Sequence, residues 1–518
     1  MTSTAPAVAE LARARTLAQR SQLPWVDLDA EPIDPEAVAQ LPIGLMTRFI
    51  ALPFAFAGQV LRVAIADPAA SALVEREVTL PLEFVVAPRA SILNLLDSLR
   101  QTRRTGSLVA LPSAGDLGTE PETALLVRAA DAGATDLHYV PTEGGLSVRA
   151  RVDGLLREIG LIPSAGAPAA VSRLRVQSQL DISEHRRAQE GRMRITGSTG
   201  REFDVRITII PTIAGEGVAM RLLEHTARPP SLTEVGLSPE LQLQLERIVN
   251  QRRGAMIVTG PTGSGKSTTI YAALNDLATP ELDIVTVEDP VEYRFDGVYQ
   301  VEVNPVVGVT FESSLRTFLR TDPDVIVVGE MRDLPTASAT LKAALSGTFV
   351  LSTLHTYDAP AAITRLVDIG VEPYVTAATV TAVLAQRLVR RLCIYCRERR
   401  PVTDLERAEL GLADGEHHLF SARGCPQCDR GYRGQLGIHQ LMIMNDELRR
   451  LALERAAHGT LRDAALTSGM RTLMDDGTAK ALAGLTTLDE IKRIVSDDDG
   501  STIAARASRL PGADAGGF

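Results

Sequence analysis

The sequence predicts an α/β protein: a C-terminal domain built on a largely parallel sheet covered by helices, preceded by two smaller α+β units. Three observations lead to that class. From about Ser231 onward short apolar runs alternate with helical stretches, one of those runs feeds a glycine-rich loop and then a helix, and 518 residues are too many for one hydrophobic core. Hydrophobic residues make up 45% and charged residues 23% of the chain, which leaves apolar material for several cores.

Taken in order, residues 1–100 combine helical periodicity over 8–20 with apolar runs such as Leu61-Arg62-Val63-Ala64-Ile65-Ala66, which stop at Asp67-Pro68. A strand followed by a turn is expected there, inside a small α+β unit. Residues 101–122 are rich in Ser, Thr, Gly and Pro, carry Arg103 and Arg104, and show no sustained periodicity, the pattern of a flexible linker. A second α+β unit is expected over 123–226, opening on a helix and continuing with alternating segments such as Leu146-Ser147-Val148-Arg149-Ala150-Arg151-Val152. The prolines of Arg228-Pro229-Pro230 suit neither a helix nor a central strand and put a second linker at 227–235. The C-terminal domain then occupies 236–497, with a helix over 239–250 and strands at Met256-Ile257-Val258, Ile284-Val285-Thr286-Val287, Val325-Ile326-Val327-Val328 and Phe349-Val350-Leu351. Runs without polar alternation fit strands buried on both faces. Residues 498–518 are rich in Ser, Ala, Gly and Asp and are expected to be disordered.

A formal charge of −10 does not attract a polyanion, so nucleic acid is not expected as the main ligand. The first residues lack the apolar core of a signal peptide, and no apolar run reaches membrane-spanning length. A soluble cytoplasmic protein is expected.

The run Gly260-Pro261-Thr262-Gly263-Ser264-Gly265-Lys266-Ser267 satisfies G-x-x-x-x-G-K-[ST], with an apolar strand before it and a helix opening at Thr268. Its glycines let successive N–H groups turn inward toward phosphate oxygens, and the helix N-terminus adds free donors. Lys266 neutralises β/γ charge and the Ser267 hydroxyl ligates Mg²⁺, so 260–268 is the expected ATP site. Hydrolysis needs acidic partners. Glu330 ends the buried strand Val325-Ile326-Val327-Val328-Gly329, at the edge where ligands of open α/β sheets collect. Glu288 repeats the arrangement in Ile284-Val285-Thr286-Val287-Glu288-Asp289-Pro290, with Glu292 beyond it; it is a second candidate for general base or metal-shell carboxylate, or part of a structural turn. His355 follows a third apolar strand and is either a γ-phosphate contact or structural.

The four cysteines fall as Cys393-Ile394-Tyr395-Cys396 and Cys425-Pro426-Gln427-Cys428. Two such knuckles complete a closed tetrahedral S₄ shell for structural Zn²⁺, with a redox dithiol as the other reading.

Together, Gly260 to Ser267, Thr286-Val287-Glu288-Asp289-Pro290-Val291-Glu292, Gly329-Glu330-Met331-Arg332-Asp333 and Ser352-Thr353-Leu354-His355-Thr356 resemble the Walker A, Asp box, Walker B and His box of the type II secretion and type IV pilus assembly ATPases. Leu319-Arg320-Thr321-Asp322-Pro323-Asp324 and Leu384-Ala385-Gln386-Arg387-Leu388-Val389-Arg390 add to the match, which runs from about Thr123 to Leu441. The resemblance implies a RecA-like ATPase domain with a zinc-binding insertion over 390–434, a PAS-like second unit, and a homohexameric ring. It further implies that residues 1–100 recruit the enzyme to the cytoplasmic domain of an inner-membrane secretion-platform protein, and that ATP turnover drives pilin-like subunits from the membrane. Family arginines that reach the nucleotide look like Arg206 and Arg221, although arginines alternating along a strand also describe a solvated sheet face. The histidine the family usually carries after Gly347 is replaced by Thr348. Phe295-Asp296-Gly297-Val298 and Asp368-Ile369-Gly370-Val371-Glu372-Pro373-Tyr374 look closer to the secretion branch than to pilus extension. A non-hydrolysing nucleotide-gated scaffold and a DNA-handling motor are the other classes considered.

Overall fold

A computed structural model describes residues 5–102, 120–224, 230–413 and 415–495. Most of the linker expected at 101–122, the Arg228-Pro229 pair and the expected tail at 498–518 lie outside the described residues.

The first unit is a three-stranded sheet of β1 (Ala51–Ala57), β2 (Val60–Ile65) and β3 (Leu82–Val86), with β2 antiparallel to β1 and parallel to β3. The β1–β2 hairpin turns through Gly58 at φ 66°, a conformation that favours glycine. Apolar residues of the strands and of the helix Arg89–Thr102, among them Phe54, Leu61, Val63, Ile92 and Leu95, form its core.

The second unit opens with the helix Pro121–Asp131, two residues earlier than expected because Pro121 takes the first helical position, where a missing N–H costs nothing. Six strands follow: β4 (Asp136–Thr142), β5 (Gly145–Val152), β6 (Leu155–Pro163), β7 (Gln189–Thr196), β8 (Glu202–Thr212) and β9 (Gly215–Glu224). They form one antiparallel sheet in the order β6-β5-β4-β9-β8-β7. Strict alternation along β8 buries Phe203, Val205, Ile207 and Ile209, leaving Arg206 on the opposite face.

The third unit carries seven strands in the order β12-β11-β13-β14-β10-β15-β18: β10 (Ala255–Thr259), β11 (Ile284–Glu288), β12 (Tyr299–Glu302), β13 (Val325–Val328), β14 (Phe349–Leu354), β15 (Val380–Leu392) and β18 (Tyr432–Ile443). All pairs are parallel except β15–β18. Separate apolar clusters on the two faces of the sheet show that helices cover both sides. The edge strand β12 and the long pair β15–β18 were not foreseen. Tyr299-Gln300-Val301-Glu302 is short and partly polar, and Gln386, Arg387 and Arg390 interrupt what would otherwise read as an apolar run in β15. Between β15 and β18 lies the cysteine-bearing segment, with the hairpin β16 (Arg397–Pro401) and β17 (His418–Ala422) and the helix Asp404–Leu410. The segment lies within the expected 390–434, whose first and last residues belong to β15 and β18.

Candidate nucleotide site

Parallel strands put their C-terminal ends on one edge, and the motif residues gather there. The loop 260–265 leaves β10 with Gly260, Gly263 and Gly265 at φ 152°, 78° and 83°. A Cβ on Gly265 would stand 2.8 Å from the Gln386 amide nitrogen, and one on Gly260 would stand 2.5 Å from the Gln386 carbonyl oxygen. Gly263 has nothing within 4 Å and faces open space. The helix Lys266–Leu277 begins inside the motif. The Lys266 ammonium donates to the carbonyl oxygens of Gly260 at 2.9 Å and Pro261 at 3.0 Å. Burial pulls its pKa down to about 8, with Glu330 opposing and Arg387 reinforcing the shift. The Ser264 hydroxyl is buried without a hydrogen-bond partner among the described residues, Ser267 and Thr262 are exposed, and Thr268 is half-buried. A buried cation and an orphaned hydroxyl in a loop of inward-turned backbone fit an anionic phosphate.

Glu330 follows β13, its carboxylate mostly buried, paired with Arg332 and 3.3 Å from Nε2 of His355. Hydrogen bonds tie the strand ends together: Thr353 Oγ1 donates to the Gly329 carbonyl at 2.7 Å, and the Thr356 N–H donates to Thr259 Oγ1 at 2.9 Å. His355, half exposed, thus stands beside the acid.

Glu288 is different. Its side chain is enclosed, accepting hydrogen bonds from Thr286 Oγ1 at 2.6 Å and from the Tyr271 hydroxyl. Burial pushes its carboxyl above the usual range despite those bonds. Tyr271 lies one helical turn past the phosphate loop, and its hydroxyl also accepts the Glu292 N–H at 2.8 Å. The second acidic strand end is thus enclosed within the domain, and of the two acids Glu330 stands beside His355.

The two arginines occupy one cross-strand row of the middle unit. Arg192, Arg206, Arg221, Asp136 and Arg151 are successive register partners on β7, β8, β9, β4 and β5. Asp136 holds Arg221 at 3.3 Å and Arg151 at 3.5 Å, and Arg192 reaches Glu302 of β12 at 2.9 Å. That last pair seats the row against the Asp-box side of the nucleotide-domain sheet. Burial lowers the Arg206 pKa, with Arg192 and Arg221 adding to the shift and Asp289 and Glu302 opposing it. Glu292 is pushed up by burial and held back by Arg206 and Arg221. One Arg206 guanidinium nitrogen is buried with no hydrogen-bond partner among the described residues. Sequence reasoning missed Arg192, whose register only the sheet order reveals, and the buried Gln386, whose Oε1 accepts from Thr269 Oγ1 at 2.7 Å and props the phosphate loop from β15. Thr348 stands just before β14, about seven residues and roughly 20 Å of strand from His355, away from this edge.

The four cysteine sulfurs lie within 4.8 Å of one another, with Cys393–Cys425 at 3.9 Å, Cys396–Cys428 at 3.6 Å and Cys425–Cys428 at 3.7 Å. A tetrahedron with metal–sulfur bonds of about 2.3 Å has sulfurs about 3.8 Å apart, so the set fits a four-thiolate shell. N–H groups of Cys425 and Gly431 point at the Cys428 sulfur at 3.3 and 3.2 Å, which suits a thiolate.

The sequence profile described as Type II/IV secretion system protein matches residues 121–493, well over half of the chain. The chain belongs to that family. A second profile, the MshEN domain, matches 21–106. This secretion-family chain is 45% identical over 375 residues to the Type II secretion system protein HxcR of Pseudomonas aeruginosa, covering 72% of this chain and 76% of that one. It is 38% identical over 519 residues to the Type II secretion system protein E of Xanthomonas campestris pv. campestris, covering 95% and 91%. The Type IV pilus assembly ATPase PilB of Myxococcus xanthus is 35% identical over 512 residues, covering 92% and 89%. Among solved structures, the ATPase DotB of Yersinia pseudotuberculosis superposes with a TM-score of 0.54 at 20% identity, over 72% of this chain and 93% of that one, a likeness of fold. The chain is thus an ATP-hydrolysing secretion ATPase with an α/β ATPase fold, and among the described residues no helix is long and apolar enough to cross a membrane.

Proposed function

We propose that this secretion ATPase is the cytoplasmic motor of a type II secretion system, hydrolysing ATP in a RecA-like domain to drive pseudopilus assembly and protein export. The observation that carries the reading is the Glu330–His355 pair on the same sheet edge as Lys266 and Ser267. Gly260 to Thr268 bind the triphosphate. Ser267 would hold Mg²⁺, which neutralises phosphate charge when bound. Glu330 orients the attacking water, His355 senses the γ-phosphate, and Glu288 keeps the Asp box in place through Tyr271. Arg206 and Arg221 stabilise charge in the transition state, supported by the unpartnered Arg206 nitrogen and by the acids that face the row.

Cys393, Cys396, Cys425 and Cys428 would hold a structural Zn²⁺, for which a closed thiolate shell leaves no catalytic position. The ring is homohexameric. The enzyme associates peripherally with the inner membrane as residues 1–100 bind the cytoplasmic domain of a secretion-platform protein, and it takes no nucleic acid. Pilus extension is the second reading, favoured by the full-length match to PilB. Replacing the chromosomal copy by Lys266→Ala distinguishes them: loss of exported enzymes with normal surface pili supports secretion, and the converse assigns the chain to pili.

A further inference from the structure

The four cysteines stand where three units of the chain meet. The strand β15 pairs with β10 only as far as Ala385, opposite Thr259, then runs on to Leu392, lifting the cysteine segment beyond the nucleotide edge of the sheet. Each knuckle there holds a different neighbour.

The first knuckle holds the N-terminal unit. Ile394, between Cys393 and Cys396, is buried in that unit's own apolar core, with Tyr395 packed against it. Three arginines flank the knuckle and each meets an aspartate of the unit: Arg391 with Asp97 at 3.0 Å, Arg397 with Asp29 at 2.8 Å and Arg399 with Asp27 at 2.8 Å. Arg391 and Arg397 are only 3% and 6% exposed, so each depends on its carboxylate to offset desolvation. The second knuckle holds the middle unit. Asp429, the residue after Cys428, pairs with Arg157 of β6, and just beyond it the Gly434 N–H of β18 donates to Asp153 of the β5–β6 turn at 2.8 Å. The β15–β18 ladder, which ends at Leu392 opposite Tyr432, and the β16–β17 hairpin, which begins at Arg397 opposite Ala422, flank the knuckles; between these two paired segments the knuckle loops meet through the sulfurs, the Cys393 N–H donating to the Gly431 carbonyl at 2.8 Å and a backbone contact of Gly424 with Cys396.

We infer that the cysteine module is a metal-dependent clamp: the metal joins the knuckle carrying the N-terminal unit to the knuckle carrying the middle unit, and so sets both against the nucleotide domain. The inference rests on the zinc reading above. Its consequence is that metal loss releases the N-terminal unit and the β5–β6 turn while leaving the phosphate loop, built on β10 and buttressed by Gln386, in place.

The test uses the full chain, its zinc content measured by elemental analysis, with hydrogen exchange followed peptide by peptide before and after chelation. The clamp predicts exchange faster by about tenfold or more at 26–29, 92–99 and 153–157, with β10 and binding of an ATP analogue unchanged. The zinc-loaded triple variant Arg391→Ala, Arg397→Ala, Arg399→Ala is expected to speed exchange at 26–29 and 92–99 alone, with zinc content and 153–157 as in the parent. Unchanged exchange at these segments in either sample overturns the clamp. So does a rise on chelation that extends through β10, which would make the metal a staple of the whole fold. A chain that takes up no zinc contradicts the metal reading itself, and the triple variant then reports on docking alone.

Discussion

Lys266 makes ATP affinity depend on pH in a way that ordinary P-loop charge pairing does not require. Its ammonium is buried against two carbonyl oxygens, and burial lowers its pKa from 10.5 to about 8. That difference corresponds to about 3 kcal/mol of cost in keeping the lysine charged. Phosphates of a bound nucleotide restore the charged form, so binding takes up a proton wherever the free site has lost one. Below pH 8 the lysine is already charged and affinity is flat. Above it the dissociation constant rises, by about tenfold at pH 9 and about thirtyfold at pH 9.5. Titration calorimetry between pH 7 and 9.5, in two buffers of different ionisation enthalpy, reads both the affinity and a proton uptake approaching one per ATP at the alkaline end. Lys266→Ala is expected to weaken binding at neutral pH and to flatten the profile. An affinity that stays constant to pH 9.5 in the parent refutes the reasoning, because it means that the loop holds its lysine charged without phosphate.

Three further outcomes follow from neighbouring contacts. Glu288→Gln, which keeps the shape of an enclosed and raised carboxyl, is expected to leave kcat within about threefold, whereas Glu288→Ala strands the Tyr271 hydroxyl and costs about 2 kcal/mol in denaturant unfolding. Arg206→Ala is expected to lower kcat by about a hundredfold with little change in ATP binding, while Arg192→Ala, which loses an exposed pair with Glu302, costs under about 1 kcal/mol of stability; parallel steady-state assays and unfolding curves separate them. Glu490 is buried, but hydrogen bonds from Arg493 and Arg390 overcome the burial and hold its carboxyl at about 2. Its folded-state pKa lies below the ordinary 4.5, so about 3 kcal/mol of stability is present above pH 4.5 and is lost as pH falls toward 2; Glu490→Gln should blunt that acid loss in a pH-dependent circular dichroism melt.

Local chemistry was legible and long-range enclosure was not. The phosphate loop announces itself because strand, glycines, Lys266, Ser267 and helix are contiguous, and Glu330 could be assigned to the strand end because an unbroken apolar run precedes it. By the same pattern Glu288 looked equivalent. What separates the two acids is Tyr271, seventeen residues away on a helix, and Gln300 on an unforeseen edge strand, neither of which a periodicity in the sequence connects to Glu288. Arg206 and Arg221 were found through motif resemblance; their neighbour Arg192 needed the β7–β8 register. The cysteine spacing disclosed a metal shell, but Asp97, Asp29 and Asp27 lie 294, 368 and 372 residues from the arginines they meet, and nothing in their surroundings marks them as docking residues.

In the proposed mechanism Glu330 acts at a loop that binds ATP without it. Measuring ATP-analogue affinity and steady-state phosphate release side by side in the parent and in Glu330→Gln tests this directly. Affinity unchanged within a few-fold, with phosphate release reduced by about a hundredfold or more, is the predicted result. Phosphate release at the parental rate in Glu330→Gln would contradict the assignment of the catalytic edge.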